Sequence, residues 1–120
     1  MHIDKDLVAA SATPLVLAIL ADGESYGYAI LKRVRALSGG DLEWTDGMLY
    51  PLLHRLERLG YVSSLWGTSD AGRRRKHYTI TPAGRDALAD RQEQWTVVAD
   101  ALRQVWQTAQ GPAAATEGWA

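Results

Sequence analysis

Four consecutive cations, Arg73-Arg74-Arg75-Lys76, form the densest charge in the sequence, between a polar turn and the alternating stretch His77 to Ile80. Clustered guanidinium and ammonium groups suit the binding of phosphate oxygens, because each contact is charge-assisted and releases condensed counterions. A run of this kind is also commonly nothing more than a solvated face. Upstream, Tyr50, His54, Arg55, Glu57 and Arg58 share the polar side of a segment whose other side is Leu49, Leu52, Leu53, Leu56 and Leu59. That segment can turn an aromatic and basic surface toward a ligand, although a tyrosine on a half-buried helix is often only core. Covalent and metal chemistry find no support. No cysteine is present, no nucleophile is spaced against a base, and no glycine-rich phosphate loop occurs. His2, His54 and His77 fall on three separate stretches without the short spacing of a zinc site. Asp86, Asp90 and Glu93 read as an exposed helix face. The chain is therefore expected to be no enzyme and to need no cofactor or metal.

The elements that must position these residues follow one another from Thr45 to Thr81. Thr45 is a good N-cap, the leucines recur at helical spacing, and Gly60 stands where a C′ glycine ends a helix. Pro51 lies inside this helix with Gly47 four residues earlier, a pairing that lets the first turn bend away from the rest. Tyr61 to Trp66 alternates as a strand, Gly67 to Gly72 is a flexible polar turn, and Arg73 to Ile80 returns with Tyr78 and Ile80 on one face. A helix that delivers a basic β-hairpin reads as the recognition helix and wing of a winged helix-turn-helix.

A chain of 120 residues with 47% hydrophobic and 22% charged residues suits one globular domain with a modest core. Its net charge of −1 hides a gradient. Residues 61–81 carry four cations against Asp70, whereas from Pro82 onward Arg85, Arg91 and Arg103 face five acidic residues. Such placement favours focused contact with phosphates over indiscriminate coating of nucleic acid. The longest apolar run, Pro14 to Ala21, is too short to span a bilayer, and MHIDKD lacks the features of a secretion signal. A cytoplasmic protein without membrane contact is expected.

The other segments frame the reading helix. Asp4 to Ala21 predicts a first helix, kinked or divided at Pro14. Ser25 is expected to cap a second helix from Tyr26 to Leu37, with Tyr26, Ala29, Ile30, Val34 and Leu37 inward and Lys32, Arg33 and Arg35 outward. Lys32 and Arg33 can meet a nucleic-acid backbone or simply solvate the helix. Leu42-Glu43-Trp44 suits a short strand pairing with the base of the hairpin. Thr81-Pro82 opens the last helix as N-cap and N1 proline. Along it Leu88, Trp95, Leu102 and Ala109 recur every seven residues, with Val98 and Val105 between them. That stripe exceeds what a small winged domain can cover, so a second copy is the expected cover. The organisation is thus a winged helix-turn-helix over residues 1–81, a C-terminal dimerisation helix over 82–109, and a disordered tail over 110–120. The fold class is mostly α with a small β-hairpin.

Four stretches in order resemble the PadR-like transcriptional regulators, in the short class with one C-terminal dimerisation helix. They are Gly27-Tyr28, the run Gly47-Met48-Leu49-Tyr50-Pro51-Leu52-Leu53-His54-Arg55-Leu56-Glu57, the run Gly72 to Tyr78, and Ile80-Thr81-Pro82-Ala83-Gly84. Met48 replaces a common Thr or Ser of that family, and His77 a common Tyr. The resemblance implies a homodimer that binds duplex DNA as a repressor. It places Tyr28, Lys32, Thr45, Met48, Tyr50, His54 and Arg55 on the helices that meet DNA, and Arg73, Arg74, Arg75 and Lys76 on the wing.

In multidrug-sensing members of that family, a tryptophan at the similar point of the last helix faces its twin and stacks planar aromatic compounds. The resemblance thereby implies a ligand site at Trp95, walled by Leu7, Ala10, Pro14, Val98, Ala99 and Leu102, with Asp100 favouring a cationic guest. The plainer reading of Trp95 is a residue that packs the dimer seam. A competing functional class is a winged-helix module that holds a partner protein. Steep salt dependence of duplex binding separates DNA recognition from that alternative.

Overall fold

A computed structural model of the chain describes residues 1–110, so the tail expected over 110–120 lies, apart from Gln110, outside the described residues. The order of elements is α1 (Lys5–Ala21), β1 (Ser25–Tyr26), α2 (Gly27–Leu37), α3 (Asp46–Arg58), β2 (Val62–Thr68), β3 (Arg74–Ile80) and α4 (Pro82–Gln110). This is the winged helix-turn-helix with a long C-terminal helix. The chain divides into two compact units, Met1–Leu88 and Ala89–Ala120. No helix among the described residues is long and apolar enough to cross a membrane.

The first unit is built around one core. Val16, Leu17 and Leu20 of α1, Ile30 and Val34 of α2, Leu49, Leu53 and Leu56 of α3, and Val62 and Tyr78 of the sheet are all buried in it. Trp44 and Leu88 join them at 8% exposure each. α3 forms as its residues dictate. Thr45 has extended backbone, its Oγ1 accepts from the Met48 amide at 3.3 Å, and Asp46 sits favourably in the first turn. At the other end the Gly60 amide donates to the Glu57 carbonyl and the Tyr61 amide to the Leu56 carbonyl, with Gly60 at φ 81°. This pair of bonds is a Schellman stop, which needs the left-handed backbone that glycine supplies without strain. Helical structure runs unbroken through Pro51.

β3 is the central strand of a three-stranded antiparallel sheet ordered β1-β3-β2. Its register sets Val62 opposite Ile80, Ser64 opposite Tyr78 and Trp66 opposite Lys76. The tip closes where the Ser69 amide donates to the Arg73 carbonyl and the Gly72 amide to the Ser69 carbonyl. Thr81 caps α4 as expected: its Oγ1 accepts from the Gly84 amide at 3.0 Å and donates to the Gly60 carbonyl at 2.6 Å.

Several expectations are corrected. Leu42–Trp44 is not a strand. The Ser38 hydroxyl accepts from the Leu42 amide at 2.8 Å and Trp44 is drawn into the core, so the segment is a fixed loop. The pairing place on β3 belongs to β1, where Ser25 faces Tyr78 and Tyr26 faces His77. Ser25 is consequently no cap, and extended Tyr26 occupies the N-cap position of α2 without a side-chain bond. α1 is one helix across Pro14. Proline removes one backbone hydrogen bond, but Ala12 and Thr13 before it and Val16, Leu17, Ile19 and Leu20 after it are buried, which keeps both halves helical, so the segment is not divided there. Leu37 and Leu59, expected inward, are 59% and 55% exposed because each ends its helix where the packed face has run out.

Gly84 shows how closely the start of α4 seats on the link between α3 and β2: a Cβ there would lie 2.0 Å from the Tyr61 carbonyl oxygen and 2.8 Å from the Ile80 side chain. Backbone cannot yield as a flexible side chain can, and overpacking of this kind costs about 1–3 kcal/mol or more. Gly84→Ala is expected to lower the urea midpoint accordingly. Gly47→Ala, whose Cβ would meet only Thr45 Oγ1 at 3.8 Å, is the control that should hold or gain stability. Equal midpoints for Gly84→Ala and the parent would contradict the tight seat.

Candidate nucleic-acid interface

Within the first unit, the start of α2, the outer face of α3 and the hairpin enclose a cleft of about 750 Å³. Tyr26, Gly27 and Tyr28 line it from one side, Tyr50 and His54 from α3, and Trp66, Arg73 to Lys76 and Tyr78 from the hairpin. The amphipathic pattern of α3 makes this possible: with Leu49, Leu52, Leu53 and Leu56 buried, Tyr50 and His54 must turn outward. Gly27 gives Tyr50 its place, since a Cβ at Gly27 would lie 2.1 Å from the Tyr50 hydroxyl oxygen and 2.6 Å from Cζ.

The cations around the cleft rest on aromatic rings. The Arg75 guanidinium lies 3.9 Å from the Tyr26 ring centre and that of Arg74 lies 4.7 Å from the Trp66 ring centre. Lys32 stands 5.5 Å over Tyr28, and Lys76 5.7 Å over Tyr78. Such contacts attract each cation to a ring face and reduce the rotamer freedom that phosphate binding would otherwise remove. The result is a row of pre-placed cations on a chain of net charge −1.

The other expected residues are distributed less uniformly. Tyr28, Tyr50, His54 and the four hairpin cations meet in the cleft. Thr45 and Met48 instead line a separate hollow with Leu42 and Trp44, and Met48 packs against the core. Arg55 donates to the Thr13 hydroxyl at 3.4 Å and so is drawn toward α1. Arg33 is paired with Asp22 at 2.6 Å. Of the residues expected around a ligand, Leu7 is exposed and Pro14 half-buried, with Ala10 exposed on the same α1. In the second unit Trp95 and Ala99 are half-buried, Val98 and Leu102 are exposed, and Asp100 is engaged by Arg103 one turn along. Among the described residues no group of three or more histidines or carboxylates is placed to hold a metal.

Sequence reasoning missed Tyr26, Trp66 and Glu57. Period-two alternation sets Trp66 on the same face as Ser64 and Val62, but only the register identifies Lys76 as its partner. The sequence pattern of Tyr26 suits the start of α2, whereas in β1 it pairs with His77.

A model of the transcriptional regulator PadR-like family matches residues 16–90. The chain belongs to that family. Over 75 residues it is 40% identical to a transcriptional regulator of Mycobacterium tuberculosis, a match spanning 62% of this chain and 66% of that protein. A solved transcriptional regulator from Clostridium thermocellum is similar with a TM-score of 0.76 and 29% identity, covering 83% of this chain and 97% of the other. A PadR family regulator from Eggerthella lenta gives a TM-score of 0.71 and 31% identity, covering 86% and 88%. These are regulators of transcription, and this PadR-like chain is a regulator and not an enzyme.

Burial of Tyr78, reinforced by the Glu57 carboxylate and by Tyr50, raises its phenol above the ordinary tyrosine value. The unfolded chain releases this proton at about pH 10 while the folded chain still holds it, so the contribution is complete below that pH and is lost as pH rises beyond it. The urea midpoint should therefore fall more steeply above pH 10 in the parent than in Tyr78→Phe. Parallel curves would contradict the assignment.

Proposed function

We propose that the chain is a homodimeric, sequence-specific DNA-binding repressor, released by a small aromatic ligand held at the dimer interface. The observation that carries the reading is the cleft, in which Tyr50 and His54 of α3 stand beside the hairpin guanidinium groups of Arg73, Arg74 and Arg75. α3 enters the major groove, where its outward side chains meet base edges, while the wing grips the flanking phosphates. Tyr28 and Lys32 extend the phosphate contacts along α2, and Thr45, Met48 and Arg55 lie at the margins of the reading surface. Residues 1–81 form the DNA-reading part and residues 82–109 the dimerisation helix of a cytoplasmic regulator.

The dimer accounts for the apolar surface of the second unit, where Val98, Leu102, Val105 and Trp106 are between 42% and 64% exposed. Large apolar groups at successive turns of one helix are costly to leave in water and favour a second copy. Trp95 and its neighbours Val98, Ala99 and Leu102 supply apolar walls for a planar aromatic guest. Asp100 favours a cationic one. A ligand that prefers the dimer with misaligned reading helices lowers DNA affinity by its differential affinity for the two states.

Three measurements test this reading. Arg74→Ala should weaken binding to every duplex alike and flatten the plot of log affinity against log salt by about one unit per bound protomer, whereas substitutions at Tyr50 or His54 should change which duplexes are preferred. Salt-independent binding by the parent would point instead to a protein partner. Leu102→Asp places a charge in the seam and should give a monomer in sedimentation at low micromolar concentration; a dimer there contradicts the seam. Planar aromatic cations should quench tryptophan fluorescence and release DNA, with both effects absent in a Trp95→Ala dimer. A Trp95→Ala protein that responds like the parent makes that tryptophan structural.

A further inference from the structure

The four hairpin cations are not equivalent. Glu57, on the polar side of α3, reaches the hairpin with both carboxylate oxygens: Oε2 accepts from the Ser64 hydroxyl at 2.6 Å, and Oε1 lies 3.7 Å from Lys76 Nζ. Ser64 belongs to β2 and Lys76 to β3, so one carboxylate spans both strands of the wing from the helix that reads DNA. The Lys76 ammonium is additionally held over the Tyr78 ring, and its side chain is only 28% exposed. Arg73 and Arg74 are exposed, and among the described residues neither faces a carboxylate within ion-pair distance.

We propose that Glu57 is a positioning and specificity-determining residue, which withholds Lys76 from phosphate and fixes the angle of the wing on α3. The proposal rests on the DNA-binding reading above and deepens it. Its physical basis is that phosphate contacts strengthen binding to every sequence equally, whereas base contacts discriminate. A Lys76 free to reach the backbone adds only the first kind. With its charge answered inside the protein, Lys76 adds no counterion release, and the clasp keeps the wing where its remaining contacts agree with the register set by Tyr50 and His54. Glu57 thus exchanges total affinity for a larger ratio between specific and unspecific sites.

The test measures affinity against salt concentration for a selected duplex and an unrelated one, using the full chain. Glu57→Gln keeps the shape and the acceptor for Ser64 but removes the charge opposite Lys76. Its salt slope should steepen by about one unit per bound protomer, so that raising the salt fourfold costs the variant about 3.5-fold more affinity per protomer than it costs the parent. Affinity for the unrelated duplex should rise, and the ratio between the two duplexes should fall. Lys76→Met, which retains the apolar stem over Tyr78, should leave the parental slope unchanged in the otherwise parental chain. In the Glu57→Gln background it should remove the added unit. A merely structural role for Glu57 would shift the melting temperature and leave all slopes alike. Unchanged slope in Glu57→Gln, or a flattened one in Lys76→Met alone, overturns the assignment. A parent without salt-dependent duplex binding removes the DNA-binding reading itself, an outcome distinct from either.

Discussion

Burial of the leucine face of α3 is the constraint on which the rest of the molecule depends. Leu49, Leu53 and Leu56 are at most 1% exposed, in one core with α1, α2 and the sheet. A helix anchored along one side cannot rotate without exposing several leucines, each worth about 1.5–3 kcal/mol of burial. Tyr50 and His54 are therefore presented outward by default. The Schellman stop at Gly60 then directs the chain straight into β2, so the wing stands beside the helix face that it assists. Thr81, bonded to the carbonyl of that same glycine, launches α4 from the same junction.

The second organising theme is the handling of charge. A regulator that attracted all DNA strongly would spend most of its time on unspecific sites. This chain has a net charge of −1 and concentrates its cations on one hairpin. Aromatic rings support Arg74 and Arg75, while Glu57 and Tyr78 occupy Lys76. The aromatic supports restrict where the cations stand, and the carboxylate restricts how many are free. Buried Tyr78, on the central strand of the sheet, gives Lys76 the ring over which it is held.

Much of this was legible in the residues because it depends on local chemistry. Thr45 as N-cap, Gly60 as stop, the alternation on both sides of the hairpin and Thr81-Pro82 as a helix start each follow from a few adjacent side chains. What was not legible depends on long-range pairing. β1 is two residues long and has no pattern of its own; Ser25 and Tyr26 are a strand only because β3 lies alongside. The three-residue run ending at Trp44 reads equally well as strand or loop, and only the core decides. Pro14 forecast a break that the surrounding buried side chains outweigh. In the candidate site, the basic run and the outward face of α3 could be read directly. The clasp from Glu57 to Ser64 and Lys76 joins residues 7 and 19 positions apart, and no periodicity connects them.

In the proposed dimer, two copies of α3 held at a fixed spacing read duplex DNA. Selection of bound sequences from a random pool of duplexes tests it most directly. The expected result is enrichment of an inverted repeat, with half-site centres separated by about one helical turn or a multiple of it. Recovery of no enriched sequence, or of a single unrepeated site, would contradict it.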